Sequence, residues 1–509
     1  MTGAGGNAFD YFVARHGREG RGERLAFRDP WRALTYRDLD AAAARFAAGL
    51  KAAGIARERR IALVLLDTID FPVAFWGALR AGIIPVPINT LLPPDITGYI
   101  LEDSRAAALV VSEPLLPPLK PQIARLGIDR VVVSAPDGQG GEFAQFARGE
   151  ANAEPAACSA DEVAFWLYSS GSTGNPKGVK HVHASLKATA DTYGRQVLGI
   201  RPDDVMFSVA KLFFAYGLGN SMTFPMSVGA AAVLYPDRPT PESVLRTMRQ
   251  FRPTLFAGVP TLYAAMLTDP ALGAGAGSDR LHRCISAGEP LPEHIGVRWR
   301  ERVGSDILDG IGSTEMLHIF LSNRPDDIRY GTTGKPVPGY DVRILDAGGE
   351  VADGEPGELA VRGPSAGDGY WNQRQKSQHT FRGEWTHTGD TYIRDADGYY
   401  RYCGRSDDML KVGGIWVSPF EVEEALIGHP AVLEAAVVGH ADSDGLIKPM
   451  AFVVLKADAP RADAALTEAL QNHVKAAIGV WKYPRWIEFR DALPKTATGK
   501  IQRYKLRDV

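Results

Sequence analysis

Between residues 60 and 133 short apolar runs alternate with helical segments, and few folds accommodate that pattern. Arg60-Ile61-Ala62-Leu63-Val64-Leu65 reads as a strand, Phe71–Ala81 as a helix, and Ile84-Pro85-Val86-Pro87-Ile88 as a second strand. Ala108-Leu109-Val110-Val111 and Arg130-Val131-Val132-Val133 repeat the strand signal. Uninterrupted apolar strands alternating with helices predict parallel sheets covered by helices. Upstream, Thr35 followed three residues later by Asp38 predicts an N-cap and a helix running through Leu50. Asp67, Asp70 and Arg80 interrupt the apolar stretch from Ile61 to Ile88, which excludes it as a membrane span.

The texture changes along the chain. Residues 134–160 are rich in Gly, Ala and Pro and read as an exposed connector. From Gly339 strands shorten, and turn pairs such as Asp353-Gly354 and Asp397-Gly398 appear, which predicts a compact β-rich subdomain before residue 405. The remainder mixes a helix at Glu421–Ile427 with apolar strands such as Ala435-Ala436-Val437-Val438, as expected of a small α+β domain. With 509 residues there is room for roughly three domain-sized units. The net charge of −3 gives no basic field for nucleic acid. Cys158, Cys284 and Cys403 are too sparse for a disulfide framework or a zinc site. The first ten residues lack the charged start and apolar run of a signal peptide, so a reducing cytoplasm is expected.

Residues 168–179 carry the chemistry. They read Tyr-Ser-Ser-Gly-Ser-Thr-Gly-Asn-Pro-Lys-Gly-Val, directly after the strand-like run Val163–Tyr168. Gly171, Gly174 and Gly178 let the backbone approach a ligand closely. Successive N–H groups in such a loop make a concave anion site. Hydroxyls of Ser169, Ser170, Ser172 and Thr173 add donors, and Lys177 adds charge. This is a loop for holding phosphates. It is not a Walker A loop, because Pro176 precedes Lys177 and Gly178 follows it.

The loop resembles the signature of the acyl-adenylate-forming superfamily, which contains acyl- and aryl-CoA ligases. Further motifs follow in that family's order: Ser286-Ala287-Gly288-Glu289-Pro290, Gly312-Ser313-Thr314-Glu315, Thr388-Gly389-Asp390, and Gly404-Arg405-Ser406-Asp407-Asp408 leading into Lys411-Val412-Gly413-Gly414. Pro494-Lys495-Thr496-Ala497-Thr498-Gly499-Lys500 closes the series. The resemblance implies an α/β fold: a large N-terminal domain of helix-covered sheets with a β-rich subdomain (1–406) and a small mobile α+β C-terminal domain (407–509).

It also implies a reaction. A carboxylic acid and Mg-ATP give an acyl-adenylate and pyrophosphate, and a thiol then displaces AMP. The first step brings an anionic carboxylate to an anionic α-phosphate, so cations and donors must surround the transition state. By resemblance Lys500 bridges the two, Glu315 holds Mg²⁺, and Thr314 donates to the α-phosphate beside the phosphate loop (Ser169, Ser170, Gly171, Ser172, Thr173, Gly174, Lys177). Asp390 accepts from the ribose hydroxyls and Arg405 assists at ribose or phosphate. The adenine lies against Ser286, Ala287, Gly288, Glu289 and Pro290, with Asp309, Gly310 and Ile311 alongside. Ile311 stands where many relatives carry an aromatic residue. Asp407 matches the hinge, with Asp408 adjacent, and Gly413 and Gly414 would line a narrow thiol tunnel.

Residues 210–220 (Ala-Lys-Leu-Phe-Phe-Ala-Tyr-Gly-Leu-Gly-Asn) and Met316–Phe320 suit a flat, mostly apolar ligand. Both resemble the benzoate–CoA ligase branch, which implies an acyl pocket of Ala215, Tyr216, Gly312, Leu317, His318 and Ile319. His318 reads equally as a pocket wall or as a hydrogen-bonded core histidine. Benzoate is the first expectation, and 4-hydroxybenzoate or another substituted benzoate the second. A ring hydroxyl would need a buried polar partner, which these residues alone do not identify. A stand-alone adenylation enzyme loading a carrier protein shares the first step, but no carrier motif follows Val509, so coenzyme A is the expected thiol. An inactive aryl-acid sensor is the non-enzyme alternative. The expected partners are the aromatic acid, ATP and CoA, with a homodimer and a lysine acyltransferase acting on Lys500 as further candidates. Neither nucleic acid nor membrane is expected.

Overall fold

The computed structural model describes residues 6–135, 137–138, 141–148, 154–169, 175–406, 408–412, 415–443, 446–495 and 501–507. Its chain forms two compact units, one of residues 1–341 with 361–386, the other of residues 342–360 with 387–509. This partition groups the strands at 387–406 with the C-terminal residues, whereas the sequence motifs divide the chain at 406/407.

The alternating pattern near the N-terminus becomes a parallel four-stranded sheet. Arg60–Val64 lies between Ile84–Pro87 and Ala108–Ser112, and Val131–Ser134 adds at the edge. The helix Asp70–Arg80 is buried along its whole length, which explains why its apolar residues run on without a polar stripe. Thr35 caps the helix Tyr36–Ala52. Its hydroxyl accepts from the Asp38 amide at 3.1 Å, and the Asp38 carboxylate accepts from the Thr35 amide at 3.2 Å. This reciprocal arrangement satisfies two otherwise orphaned donors.

A larger sheet of nine strands also lies in the first unit. Its centre is parallel: Leu25–Arg28, Ala231–Val233, Val205–Ser208, Leu255–Gly258, Arg283–Ser286 and Ile307–Gly312 lie side by side in that order. Ile319–Ser322 then returns antiparallel on Ile307–Gly312. Trp299, Tyr263, Phe256 and Met248 are fully buried in the cluster beneath. The connector reading of residues 134–160 needs correction. Gly141–Phe146 is a helix whose Phe143 is buried and stacks on Phe46 at 5.2 Å. Two apolar residues among Gly, Ala and charged neighbours give too little periodicity to announce a helix.

Short antiparallel pairings dominate from residue 341 to 405, as the turn pairs predict. The C-terminal residues form the expected α+β body. Val432–Ala441 pairs antiparallel with Ile447–Leu455, Trp486–Phe489 adds in parallel, and the helices Pro419–Ile427 and Ala464–Ile478 pack on the sheet through Val422, Leu426, Leu470 and Val474. Cys158, Cys284 and Cys403 are buried free thiols. Among the described residues no helix is long and apolar enough to cross a membrane.

Candidate active site

The phosphate loop joins two antiparallel strands, Val163–Ser169 and Lys177–Val182, with Ser169 directly opposite Lys177. Both of its described flanks are therefore strands of one antiparallel pair. Ser170, Gly171, Ser172, Thr173 and Gly174 lie outside the described residues; Ser169 and Lys177 mark the two ends. Ser169 Oγ donates to Glu315 Oε1 at 3.1 Å. Glu315 sits in a turn, and its carbonyl accepts from the Gly367 amide at 2.8 Å. His181, buried on the second strand, bonds through Nε2 to the Thr314 carbonyl at 2.8 Å. Burial pulls its pKa down to about 4, so it is neutral at pH 7 and holds Thr314 as a donor.

One residue at this corner went unread in the sequence. The segment around 368–371 lays itself along the second strand, with Asp368 N to Lys180 O at 2.8 Å, Lys180 N to Gly369 O at 3.0 Å and Trp371 N to Gly178 O at 2.8 Å. This sets Tyr370 beside both functional side chains. Its hydroxyl donates to Glu315 Oε1 at 2.8 Å, and Lys177 Nζ lies 4.3 Å from its ring centroid. An aromatic after Gly369 was the only signal in the sequence, and it names no partner.

The donor set fits a magnesium ion carried by nucleotide phosphates. Among the described residues no three His, Cys, Asp or Glu side chains gather into a cage. Mg²⁺ typically takes one or two carboxylates plus phosphate oxygens. Glu315 is a partly buried carboxylate of that kind.

The expected adenine residues adjoin on neighbouring strands. Ser286 ends Arg283–Ser286 and pairs in register with Asp309 of Ile307–Gly312. The turn Ala287–Pro290 follows, with Gly288 at φ 94°. Burial pushes the Asp309 carboxyl well above the usual carboxylate range. Its Oδ1 and the Ser286 hydroxyl are buried without hydrogen-bond partners. Gly310 and Ile311 continue the strand, and Ile311 pairs with Leu321.

Two of the expected acyl-pocket residues, Tyr216 and His318, meet at the Tyr216 carbonyl. Ala215 and Tyr216 begin a short helix, Ala215–Leu218, that widens into the π-helical turn Gly219–Thr223. The Tyr216 carbonyl accepts from Asn220 Nδ2 at 3.0 Å and from His318 Nε2 at 3.3 Å. A carbonyl can only accept, so the His318 proton is on Nε2. His318 Nδ1 and Asn220 Oδ1 are then buried acceptors, and neither has a partner. Burial pulls His318 down to about 3, and Tyr193, Tyr216 and Phe224 surround its ring at 5.2, 5.8 and 4.5 Å. The structure shows His318 packed and hydrogen-bonded, as the core reading expects. A Cβ on Gly219 would lie 2.3 Å from the His318 ring, so only glycine fits there. Leu317 holds a left-handed conformation, φ 64°, rare for a branched side chain. Gly312 pairs with Ile319 at a bulge beside it. The Tyr216 hydroxyl donates to the carbonyls of Gly258 and Ile285 at 3.1 and 3.2 Å.

In the second unit, Asp390 and Arg405 are register partners on antiparallel strands. Arg405 Nη1 reaches Asp390 Oδ1 at 2.8 Å and the Thr388 carbonyl at 3.0 Å. Arg405, expected at ribose or phosphate, is here the ion-pair partner of the expected ribose carboxylate. Gly389 between them takes φ 68°, and a Cβ there would press on the Arg405 guanidinium at 2.7 Å. Asp407, Gly413, Gly414 and Lys500 lie outside the described residues. Their flanks are well anchored. Lys495 bridges Ile501, and Gln502 N donates to Pro494 O at 2.8 Å. Arg503 forks onto buried Glu423 at 3.0 and 2.6 Å, while Arg507 and Arg503 both face Asp408.

Comparison with known proteins agrees with this geometry. The AMP-binding enzyme family profile matches residues 14–371, and the AMP-binding enzyme C-terminal domain matches residues 421–500. A 4-hydroxybenzoate–CoA/benzoate–CoA ligase of Rhodopseudomonas palustris is 54% identical over 507 residues, covering 99% of this chain and 94% of that protein. A benzoate–CoA ligase of Thauera aromatica is 52% identical over 505 residues, covering 98% and 95%. The crystal structure of a benzoate CoA ligase from Burkholderia xenovorans LB400 superposes with a TM-score of 0.90 at 49% identity, covering 98% of this chain and 99% of that one.

Proposed function

The chain belongs to the AMP-binding enzyme family, and on that premise we propose that it activates an aromatic carboxylic acid, benzoate first, and transfers it to coenzyme A. A carboxylate oxygen attacks the α-phosphorus of ATP, pyrophosphate leaves, and an aryl-adenylate forms. The CoA thiol then attacks its carbonyl carbon, loses its proton and expels AMP. The observation that carries the reading is the convergence of Ser169 and Tyr370 on Glu315, beside Lys177, at the end of a hydroxyl- and glycine-rich hairpin.

Each residue has a task set by charge. Lys177 and the loop donors bind the phosphates, and Thr314 donates to the α-phosphate. Glu315 would hold a magnesium ion, which when bound neutralises charge on the polyphosphate. Asp390 accepts from ribose. Its present partner, Arg405, orients that carboxylate. Asp309 Oδ1 is a buried acceptor suited to the adenine amino group. The aromatic ring of the acid packs against Ala215, Tyr216, Gly312, Leu317, His318 and Ile319. A second reading, a hydroxy- or amino-substituted benzoate, is supported by His318 Nδ1 and Asn220 Oδ1, which could accept from a ring donor.

A pyrophosphate-release screen across benzoate, hydroxybenzoates, aminobenzoates, cyclohexane carboxylate and short fatty acids tests the proposal. Benzoate or a close ring analogue should give the highest turnover, and CoA alone should accept the acyl group. Absence of release with every aromatic acid would leave the sensor reading standing; release without formation of a CoA thioester would favour a carrier-protein acceptor.

We assign Asp407 as the hinge opening a mobile C-terminal body, 407–509, whose reorientation exchanges Lys500 for a face with Gly413 and Gly414 lining the thiol path. Proline at 407 restricts the backbone there. Asp407→Pro should slow thioester formation much more than adenylation in stopped-flow assays, and unchanged rates for both steps would remove the hinge. A cytoplasmic setting suits the three buried thiols. Acylation of Lys500 by a lysine acyltransferase would remove its charge and stop the first step, and a homodimer remains part of the proposal.

A further inference from the structure

We propose that Tyr370 is the positioning residue that aligns the metal-binding carboxylate with the phosphate-binding lysine, an inference that rests on the ligase reading above. Three observations meet at its side chain, which is 6% exposed. Its hydroxyl donates to Glu315 Oε1 at 2.8 Å, the oxygen that also accepts from Ser169 Oγ at 3.1 Å. Among the described residues no hydrogen bond reaches Glu315 Oε2. Two donors on one oxygen fix the plane of the carboxylate and leave the other oxygen to a cation. The face of the same ring carries Lys177 Nζ at 4.3 Å. A ring face attracts an ammonium and limits where it can go.

Tyr370 is itself held from every side. Its amide donates to Ser377 Oγ at 2.9 Å, Phe381 packs edge-on at 5.4 Å, and residues 368–371 are bonded along the strand that begins with Lys177. Gly367 makes this docking close. A Cβ there would lie 2.8 Å from Val179 Cγ1. The ring is therefore a fixed strut between two side chains that must act on one polyphosphate. Groups that orient a ligating carboxylate commonly change metal affinity by 10- to 100-fold when removed.

The two contacts are separable. Tyr370→Phe keeps the ring beneath Lys177 and deletes the hydroxyl. Tyr370→Leu deletes both. The expected result is Mn²⁺ binding, measured by electron paramagnetic resonance in the presence of a non-hydrolysable ATP analogue, weakened about 10- to 100-fold in Tyr370→Phe. Affinity for the analogue in EDTA should be unchanged in Tyr370→Phe and reduced several-fold in Tyr370→Leu. A general structural defect would weaken both readouts in both variants. Mn²⁺ affinity within threefold of wild type in Tyr370→Phe overturns the proposal, as does an equal effect of the two variants in EDTA. Ser169→Ala removes the companion donor and serves if Tyr370→Phe fails to fold: it too should weaken Mn²⁺ binding, and an unchanged affinity counts against the carboxylate alignment. These measurements need no aromatic acid, so a failed substrate screen would leave them standing.

Discussion

Lys500→Ala slows adenylate formation by about 10²-fold or more, the usual loss when one preorganised donor to transition-state charge is removed. Thioester formation from a supplied aryl-adenylate and CoA stays close to wild type. The asymmetry follows from where like charges meet. Carboxylate and α-phosphate repel in the first step, and Lys500 is the cation assigned between them. In the second step a neutral carbonyl carbon meets a thiol, and no such repulsion exists. Single-turnover pyrophosphate release measures the first rate, and absorbance of the thioester measures the second. Equal losses in both would show that the lysine supports the fold or the nucleotide generally. Contacts on both flanks hold its segment to the fold: Lys495 bridges Ile501, and Ile501 and Leu506 pack on the sheet through Val438 and Phe452.

Glu423→Ala destabilises the second unit by about 3 kcal/mol, the low end of the cost of breaking a buried ion pair, because Arg503 keeps a 3.8 Å contact with Asp408. Glu423 is 4% exposed and accepts two bonds from Arg503 and one, at 2.7 Å, from the Val437 amide. Burial pushes the Glu423 carboxyl up. Burial also pulls Arg503 down, but the facing carboxylate more than reverses this, and its pKa rises. The pair lies beside a third charge, Asp408, which Arg503 and Arg507 both face. Removing the acid leaves Arg503 only the longer contact to Asp408, at 3.8 Å, whereas replacing Glu423 and Arg503 together with apolar residues should recover much of the loss. Hydrogen exchange at the Val437 amide reads the effect locally, which matters because a chain of two units need not unfold in one step. Unchanged protection of Val437 in Glu423→Ala would show that the pair contributes nothing net.

Much of this was legible before any coordinates. The strand–helix alternation from 60 to 133 predicts the parallel sheet because burial on both faces imposes uninterrupted apolar runs. Thr35 and Asp38 announce their cap because the whole device lies within four residues. What escaped notice is long-range. Tyr370 is 55 residues from the carboxylate it orients, and Arg503 is 80 from Glu423. Nothing local in either residue names its partner. The π-helical turn at Gly219–Thr223 is equally silent, because an extra residue in a helical turn has no composition of its own. It is nonetheless what sets Asn220 beside His318, through Tyr216. Phe143 was missed for a different reason, since its short helix is stabilised by packing on Phe46 and not by its own pattern.

The shared carbonyl of Tyr216 makes Asn220 and His318 epistatic. Each fixes the orientation of its own side chain by donating to the same oxygen, so a change at one alters the environment that the other was selected in. Drift toward a differently decorated ring should then proceed by coordinated replacements at these two sites, and libraries that vary them singly will sample a poorer set of outcomes than libraries that vary them together.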